Sequence, residues 1–247
     1  MLSIRLLQKV DLTGYTLIEG FPGAGLVGPM AISYIIEKLS MKYIGYIESS
    51  KFPPLIAIHA DKPMPPVRIY ANDKAKIVTI LAEFAIPIDV TYDLAHELYD
   101  FVKSSGITEI VSIGGIPSAS QNIESGTVFA ITSTDDMKGE VKKAGLKQVG
   151  EGVATGVSAL MMVNAVNDGL SDVNVLVPVD PNVLNPKYAE AAIVAINKLI
   201  NLKVDVSDLE KEAKEVETKV RELLKRNKEV TDVHKKVAGE EGPSMYA

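Results

Sequence analysis

From about residue 15 to residue 200, short β-branched runs alternate with stretches of helical periodicity. That alternation is the habit of an α/β domain with a largely parallel sheet, because each parallel neighbour needs a long crossover, usually helical, to bring the chain back to the same end. Strands are expected at 16–19, 43–47, 55–60, 67–71, 76–82, 109–113, 128–132 and 174–179, and helices at 27–39, 90–104, 137–144, 157–168 and 188–200. Between strands, Pro63, Pro65 and Pro66 remove three backbone N–H donors from 62–66. That stretch reads as a turn or rigid loop kept out of a sheet interior.

A chain of 247 residues, 47% of them hydrophobic, can bury one large core, so a single domain with an appendage is the economical reading. The formal charge of −6 argues against nucleic acid or an anionic membrane as partner, since neither is attracted to an acidic surface. Cysteine is absent, which excludes disulfide frameworks, thiolate nucleophiles, Cys-based zinc sites and iron–sulfur clusters. Residues 1–11 carry Arg5 and Lys9 among apolar residues without a continuous apolar core, unlike a signal peptide. No apolar run approaches the roughly 18 residues that span a bilayer, so a soluble, cytoplasmic protein is expected.

The composition changes near Lys203, dividing the chain into a core domain of residues 1–203, an amphipathic helix at 204–238 and a tail at 239–247. Ser207-Asp208-Leu209-Glu210 has capping-box spacing for the start of that helix. Beyond it Leu209, Ala213, Val216, Val220, Leu223, Asn227, Val230, His234 and Val237 fall in steps of four and three, a heptad seam on a charged helix. Ala213, Asn227 and His234 are poor seam residues, so the helix is expected to dock on a partner or to lie solvated along its own domain. Residues 240–244, with two Glu, Gly, Pro and Ser, have the make-up of a mobile spacer.

Several motifs invite a chemical reading. Gly23-Ala24-Gly25-Leu26-Val27-Gly28 is a literal GxGxxG between a strand and a helix, with Glu48 twenty residues on. Its glycines would admit a pyrophosphate to the helix N-terminus, making Gly23, Gly25 and Gly28 a candidate ligand loop. Against this, Glu19 interrupts the preceding strand, whereas a central parallel strand is usually a continuous apolar run. The competing reading is that the glycines permit a tight turn and close packing. Gly156-Val157-Ser158-Ala159-Leu160 resembles a nucleophile elbow but ends in Leu, and His59, His96 and His234 offer it no compelling partner. Asp89, Asp93 and Glu97 share a helix face near His96, which a solvated face explains. Gly114-Gly115, followed by Ile116-Pro117, reads as a strand-ending turn or a pocket wall. No catalytic residue, metal site or cofactor is expected.

Met245-Tyr246-Ala247 is different in kind. An apolar residue, a phenol and a free carboxylate after a spacer form a peptide suited to insertion into an apolar slot with a cation or backbone nest at its rim. Residues 239–247, if extended, reach roughly 30 Å.

On the segments Gly20-Phe21-Pro22-Gly23-Ala24-Gly25-Leu26-Val27-Gly28, Gly114-Gly115-Ile116-Pro117, Gly150-Glu151-Gly152-Val153-Ala154-Thr155-Gly156-Val157-Ser158 and the ending Met245-Tyr246-Ala247, the chain resembles the proteasome assembly chaperone family and its archaeal homologs. The resemblance runs from Leu17 to about Leu202. It implies a three-layer α/β/α fold with a mostly parallel or mixed sheet, similar to purine nucleoside phosphorylases and related hydrolases. It further implies homo-oligomers and no enzymatic activity. Its ending is similar to the hydrophobic-Tyr-any-residue motif that enters pockets between proteasome α-subunits, which makes Met245, Tyr246 and Ala247 the partner-binding residues. Two alternatives stand beside it: an enzyme binding a nucleotide or nucleoside phosphate at Gly23–Gly28, and a subunit that scaffolds a related chaperone chain.

Overall fold

A computed structural model of the chain describes residues 2–118, 126–181 and 183–209. In chain order the elements are β1 (Leu2–Leu6), β2 (Thr16–Gly20), a 3-10 turn (Ala24–Leu26), α1 (Val27–Lys38), β3 (Lys42–Ser49), β4 (Ala57–His59), β5 (Lys62–Met64), β6 (Val67–Asn72), β7 (Ile77–Ala82), α2 (Ile88–Ser104), β8 (Glu109–Pro117), β9 (Phe129–Thr132), α3 (Asp135–Lys143), β10 (Lys147–Gln148), α4 (Val157–Asp168), β11 (Ser171–Val179) and α5 (Pro186–Leu199). Nine strands form one mixed sheet in the order β1-β3-β6-β7-β2-β8-β11-β9-β10. At its centre β7, β2, β8 and β11 run parallel, while β6, β3 and β1 pair antiparallel on one side and β9 runs antiparallel to β11 on the other.

Helices cover both faces, giving three layers. On one face Ile18, Val111, Val173 and Val175 of the central strands meet Ile32 and Ile35 of α1, Ile193 and Ile196 of α5, and Val141 of α3. On the other, Leu17, Ile80 and Ile110 meet Leu94 and Leu98 of α2 with Met161 and Ala165 of α4. The sequence explains the helices locally. In α2, Val90, Leu94, Leu98, Phe101 and Val102 recur at helical spacing and are buried. α3 starts where Thr134 accepts a hydrogen bond from the Met137 N–H, with Asp135 and Asp136 in its first turn and Lys142 and Lys143 in its last. α5 starts with Asn185 accepting from the Lys187 N–H and Pro186 in its first turn.

The structure departs from the sequence reading in five places. β2 lies at the centre of the parallel group although it carries Glu19, which is fully buried. β8 continues through Gly114 and Gly115 to Pro117, because its backbone stays paired with β11 as far as Val179. Residues 62–64 form β5, a strand that pairs with β4 in a separate two-stranded ribbon, where Pro63 interrupts no large sheet. β1 and the two-residue β10 close the sheet's edges from sequence with little strand character.

The segment after α5 folds back onto the core. Leu202, Val204 and Leu209 are buried, Asn197 brackets Val204 with two backbone hydrogen bonds of 2.8 and 3.1 Å, and the Tyr34 hydroxyl donates to the Asp205 carbonyl at 2.8 Å. Asp205 receives the Ser207 N–H at 2.9 Å. The remaining seam residues, Glu210 of the capping box and Met245-Tyr246-Ala247 lie outside the described residues.

Candidate functional site

The three glycine-bearing segments meet at the carboxyl ends of β2 and β8, the end of an open α/β sheet where ligands bind. Gly20, at the end of β2, and Gly28, in the first turn of α1, lie backbone to backbone: a Cβ on Gly20 would sit 2.6 Å from the Gly28 Cα. Gly25 adopts φ +64°, the left-handed region, and a Cβ there would stand 3.0 Å from Val179 of β11. A Cβ on Gly115 would collide with the Ala24 carbonyl oxygen. The loop after β2 is therefore seated directly on β8 and β11, and these contacts give the glycines a packing reason. The first turn of α1 has no side-chain cap, with Leu26 in the left-handed region at its start.

Beyond Val179 a cleft of about 690 Å³ opens among α5, α3 and the ends of β8 and β11. Val128, Leu146, Val177 and Val179 give it apolar walls, with Asn185 and Tyr188 at the amino end of α5.

The third segment delivers Ser158, in the first turn of α4, to the carboxyl of Glu19. Glu19 stands opposite Ser112 of β8, and Ser112 opposite Asn174 of β11, with Asp172 two residues earlier on the same face. All four are buried. Burial raises the pKa of Glu19, against the partial pull of the Ser112 and Ser158 hydroxyls and the Phe21 N–H. Burial, and then the charge of Glu19, raises that of Asp172 well above the ordinary range. The sequence signal for this row was a single inward polar residue in each of β2 and β8, Glu19 and Ser112, and two at alternate positions in β11, Asp172 and Asn174.

The other candidates are dispersed. Glu48 sits on β3, three strands from β2, with its carboxylate 2.9 Å from Arg5 Nε. His96 stacks on Tyr92 at a centroid distance of 4.5 Å, and Asp93 lies 3.4 Å from Lys51 Nζ. His59, on β4, places Nε2 2.7 Å from Glu83 Oε1, where Glu83 is also bound by Arg68. His234 lies outside the described residues. Among the described residues no group of three or more His, Asp or Glu is placed to hold a metal ion, and no helix is long and apolar enough to cross a membrane.

The model of the PAC2 family matches residues 17–224. The chain belongs to the PAC2 family. Among solved structures, this PAC2 protein resembles Pyrococcus furiosus PbaA, an archaeal homolog of proteasome-assembly chaperone, with a TM-score of 0.83 and 26% identity, over 94% of this chain and 100% of that one. Its fold is also that of P. furiosus PbaB, an archaeal proteasome activator, with a TM-score of 0.73 and 22% identity over 90% and 98% of the two chains. An uncharacterized protein of Methanocaldococcus jannaschii is 28% identical over 219 residues, 89% of each chain. The three-layer fold that the family resemblance implied is thus that of the PAC2 proteins.

Proposed function

We propose that this PAC2 protein is a cytoplasmic, non-catalytic proteasome-binding factor of the assembly-chaperone type, which docks Met245, Tyr246 and Ala247 into pockets between neighbouring α-subunits of the 20S proteasome. The observation that carries the reading is the similarity to PbaA across the whole of that chain. The ending supplies the docking chemistry: Met and Tyr for an apolar slot, and a carboxylate for its rim. A homo-oligomer presents several tails to a ring of repeated pockets, so weak insertions add through effective concentration. Exposed Ile56 and Ile58 on the β4 side, and Ile88 and Tyr92 at the start of α2, supply apolar surface for self-association.

The test is native mass spectrometry of the full chain with archaeal proteasome α-subunits, beside a chain ending at Ser244. Binding that is lost on truncation supports tail docking. Binding that survives truncation moves the contact to the globular body, and no binding by the full chain removes the proteasome reading. The uncapped first turn of α1 favours a second reading, a nucleotide or nucleoside phosphate at Gly23, Gly25 and Gly28. Thermal melts with added nucleotides test it, since a bound ligand raises Tm with its concentration. Gly25→Val is a poor probe, because φ +64° and Val179 would strain the fold with or without a ligand.

A further inference from the structure

Among the described residues, six buried side-chain oxygens find no well-aligned hydrogen-bond partner: both carboxyl oxygens of Glu19, both of Asp172, Ser112 Oγ and Asn174 Oδ1, although the Ser112 and Ser158 hydroxyls and the Phe21 N–H lie near the Glu19 carboxyl. They belong to one row. Glu19 is opposite Ser112, Ser112 is opposite Asn174, and Asp172 precedes Asn174 by two residues, so all four project from the same face of β2, β8 and β11. That face is the one packed by α2 and α4.

Among the described residues, the groups that face this row offer it no positive charge. β7 contributes Ile80, on the strand beside Glu19. From α4 come Ser158 and Asp168, and from α2 come Tyr99 and Lys103. Lys103 is spent on Asp168, with Nζ 2.6 Å from Oδ2, and the Tyr99 hydroxyl donates to the same oxygen at 3.2 Å. Two ionised carboxylates here would be buried charges without counter-ions, a state proteins avoid by neutralising the group. Ionised carboxylates also add only acceptors to a row already rich in them, whereas each protonated carboxyl brings one O–H donor.

We propose that Glu19 and Asp172 are neutral carboxylic acids in the folded protein at neutral pH. Their protons, donated towards Ser112 and Asn174, make the packing of α4 on β2, β8 and β11 a proton-dependent joint. The Ser112 and Ser158 hydroxyls favour the ionised Glu19, so the cost of losing its proton comes from burying that charge beside Asp172 and not from the Ser158 contact. The two carboxyls titrate as a pair, so the apparent values belong to both. Both are raised on folding, so the stability they contribute is complete below the ordinary carboxyl range and is lost as pH climbs towards the folded values.

The experiment uses the full chain, with thermal melts from about pH 5 to about pH 9 for the wild type, Glu19→Gln, Asp172→Asn and the double variant. Infrared spectroscopy of the carboxyl C=O band runs alongside. The wild type is expected to show a protonated-carboxyl band at neutral pH, reduced in each single variant. Its Tm should fall towards pH 9 while the double variant's does not, leaving the double variant higher by roughly 5 °C there. Lack of the band in the wild type overturns the proposal, even if every variant misfolds. So does a wild-type Tm that rises on adding calcium or magnesium and drops with chelator, which would make the row an ionised cation site.

Discussion

Arg68 and Glu83 form a two-point ion pair inside the protein. Arg68 Nη1 reaches Glu83 Oε2 at 3.0 Å and Nη2 reaches Oε1 at 2.8 Å, with the side chains 1% and 6% exposed. The guanidinium also holds the Tyr70 hydroxyl at 2.8 Å and the Pro65 carbonyl at 3.0 Å, and His59 closes on Glu83 from β4. One buried cation thus ties the β4–β5 ribbon, the Pro65 loop and the β6–β7 pair together. Glu83→Ala should cost about 3–5 kcal/mol, because Arg68 is left as a buried unpaired charge, and an Arg68→Met, Glu83→Leu double variant should recover most of it. Urea denaturation of the three proteins measures this.

The same carboxylate sets an acid limit. Burial pushes Glu83 up, but hydrogen bonds from His59 and Arg68, together with the Arg68 charge, outweigh it and hold the folded pKa below the ordinary value. Its contribution is therefore present above the unfolded pKa, about 4.5, and is lost as pH falls through the folded value. The wild type should lose stability below about pH 4.5 more steeply than the double variant, as read from Tm against pH.

Tyr15 gives the alkaline counterpart. Its hydroxyl donates to Asp73 at 2.8 Å, and burial with that carboxylate raises it to about 12. The neutral phenol is the folded form, so its stabilisation is present below the unfolded value near 10 and is lost as pH rises from there to about 12. Ultraviolet difference titration should show Tyr15 and Tyr99 both absent from the transition near 10, and Tyr15→Phe should shrink that late step by one tyrosine without removing it. The variant should also lose about 1 kcal/mol at neutral pH.

Glycines in two settings should respond with opposite signs. Gly28→Ala drives a methyl into the Gly20 backbone and should destabilise by about 1–3 kcal/mol. Gly139→Ala, inside α3 with nothing within 4 Å of the new methyl, should stabilise by about 0.5–1 kcal/mol. Thermal melts of both variants decide it.

Removing Met245, Tyr246 and Ala247 should abolish α-subunit binding while leaving Tm unchanged. Circular-dichroism melts beside native mass spectrometry separate a docking role from a folding one.

The sequence by itself determined the class of fold, the order of the major strands and helices, and the family. Those rest on local patterns: period-3.6 burial in α2, short apolar β-branched runs in β6 and β7, side-chain caps at Thr134 and Asn185, and glycines at fixed spacing. Only the tertiary structure decided which strands lie at the centre and which polar residues meet. Glu19 argued against a central β2, yet β2 is central, because β7 and β8 pair with it from about 60 and 90 residues away in the chain and bring Ile80 and Ser112 beside Glu19. Gly114-Gly115 looked like a stop, yet β8 continues, because β11 pairs with its backbone and the Ala24 carbonyl needs the space a Cβ would fill. A strand's environment is set by its lateral neighbours, and for β2 those neighbours are distant in the chain, so no local window of sequence contains them.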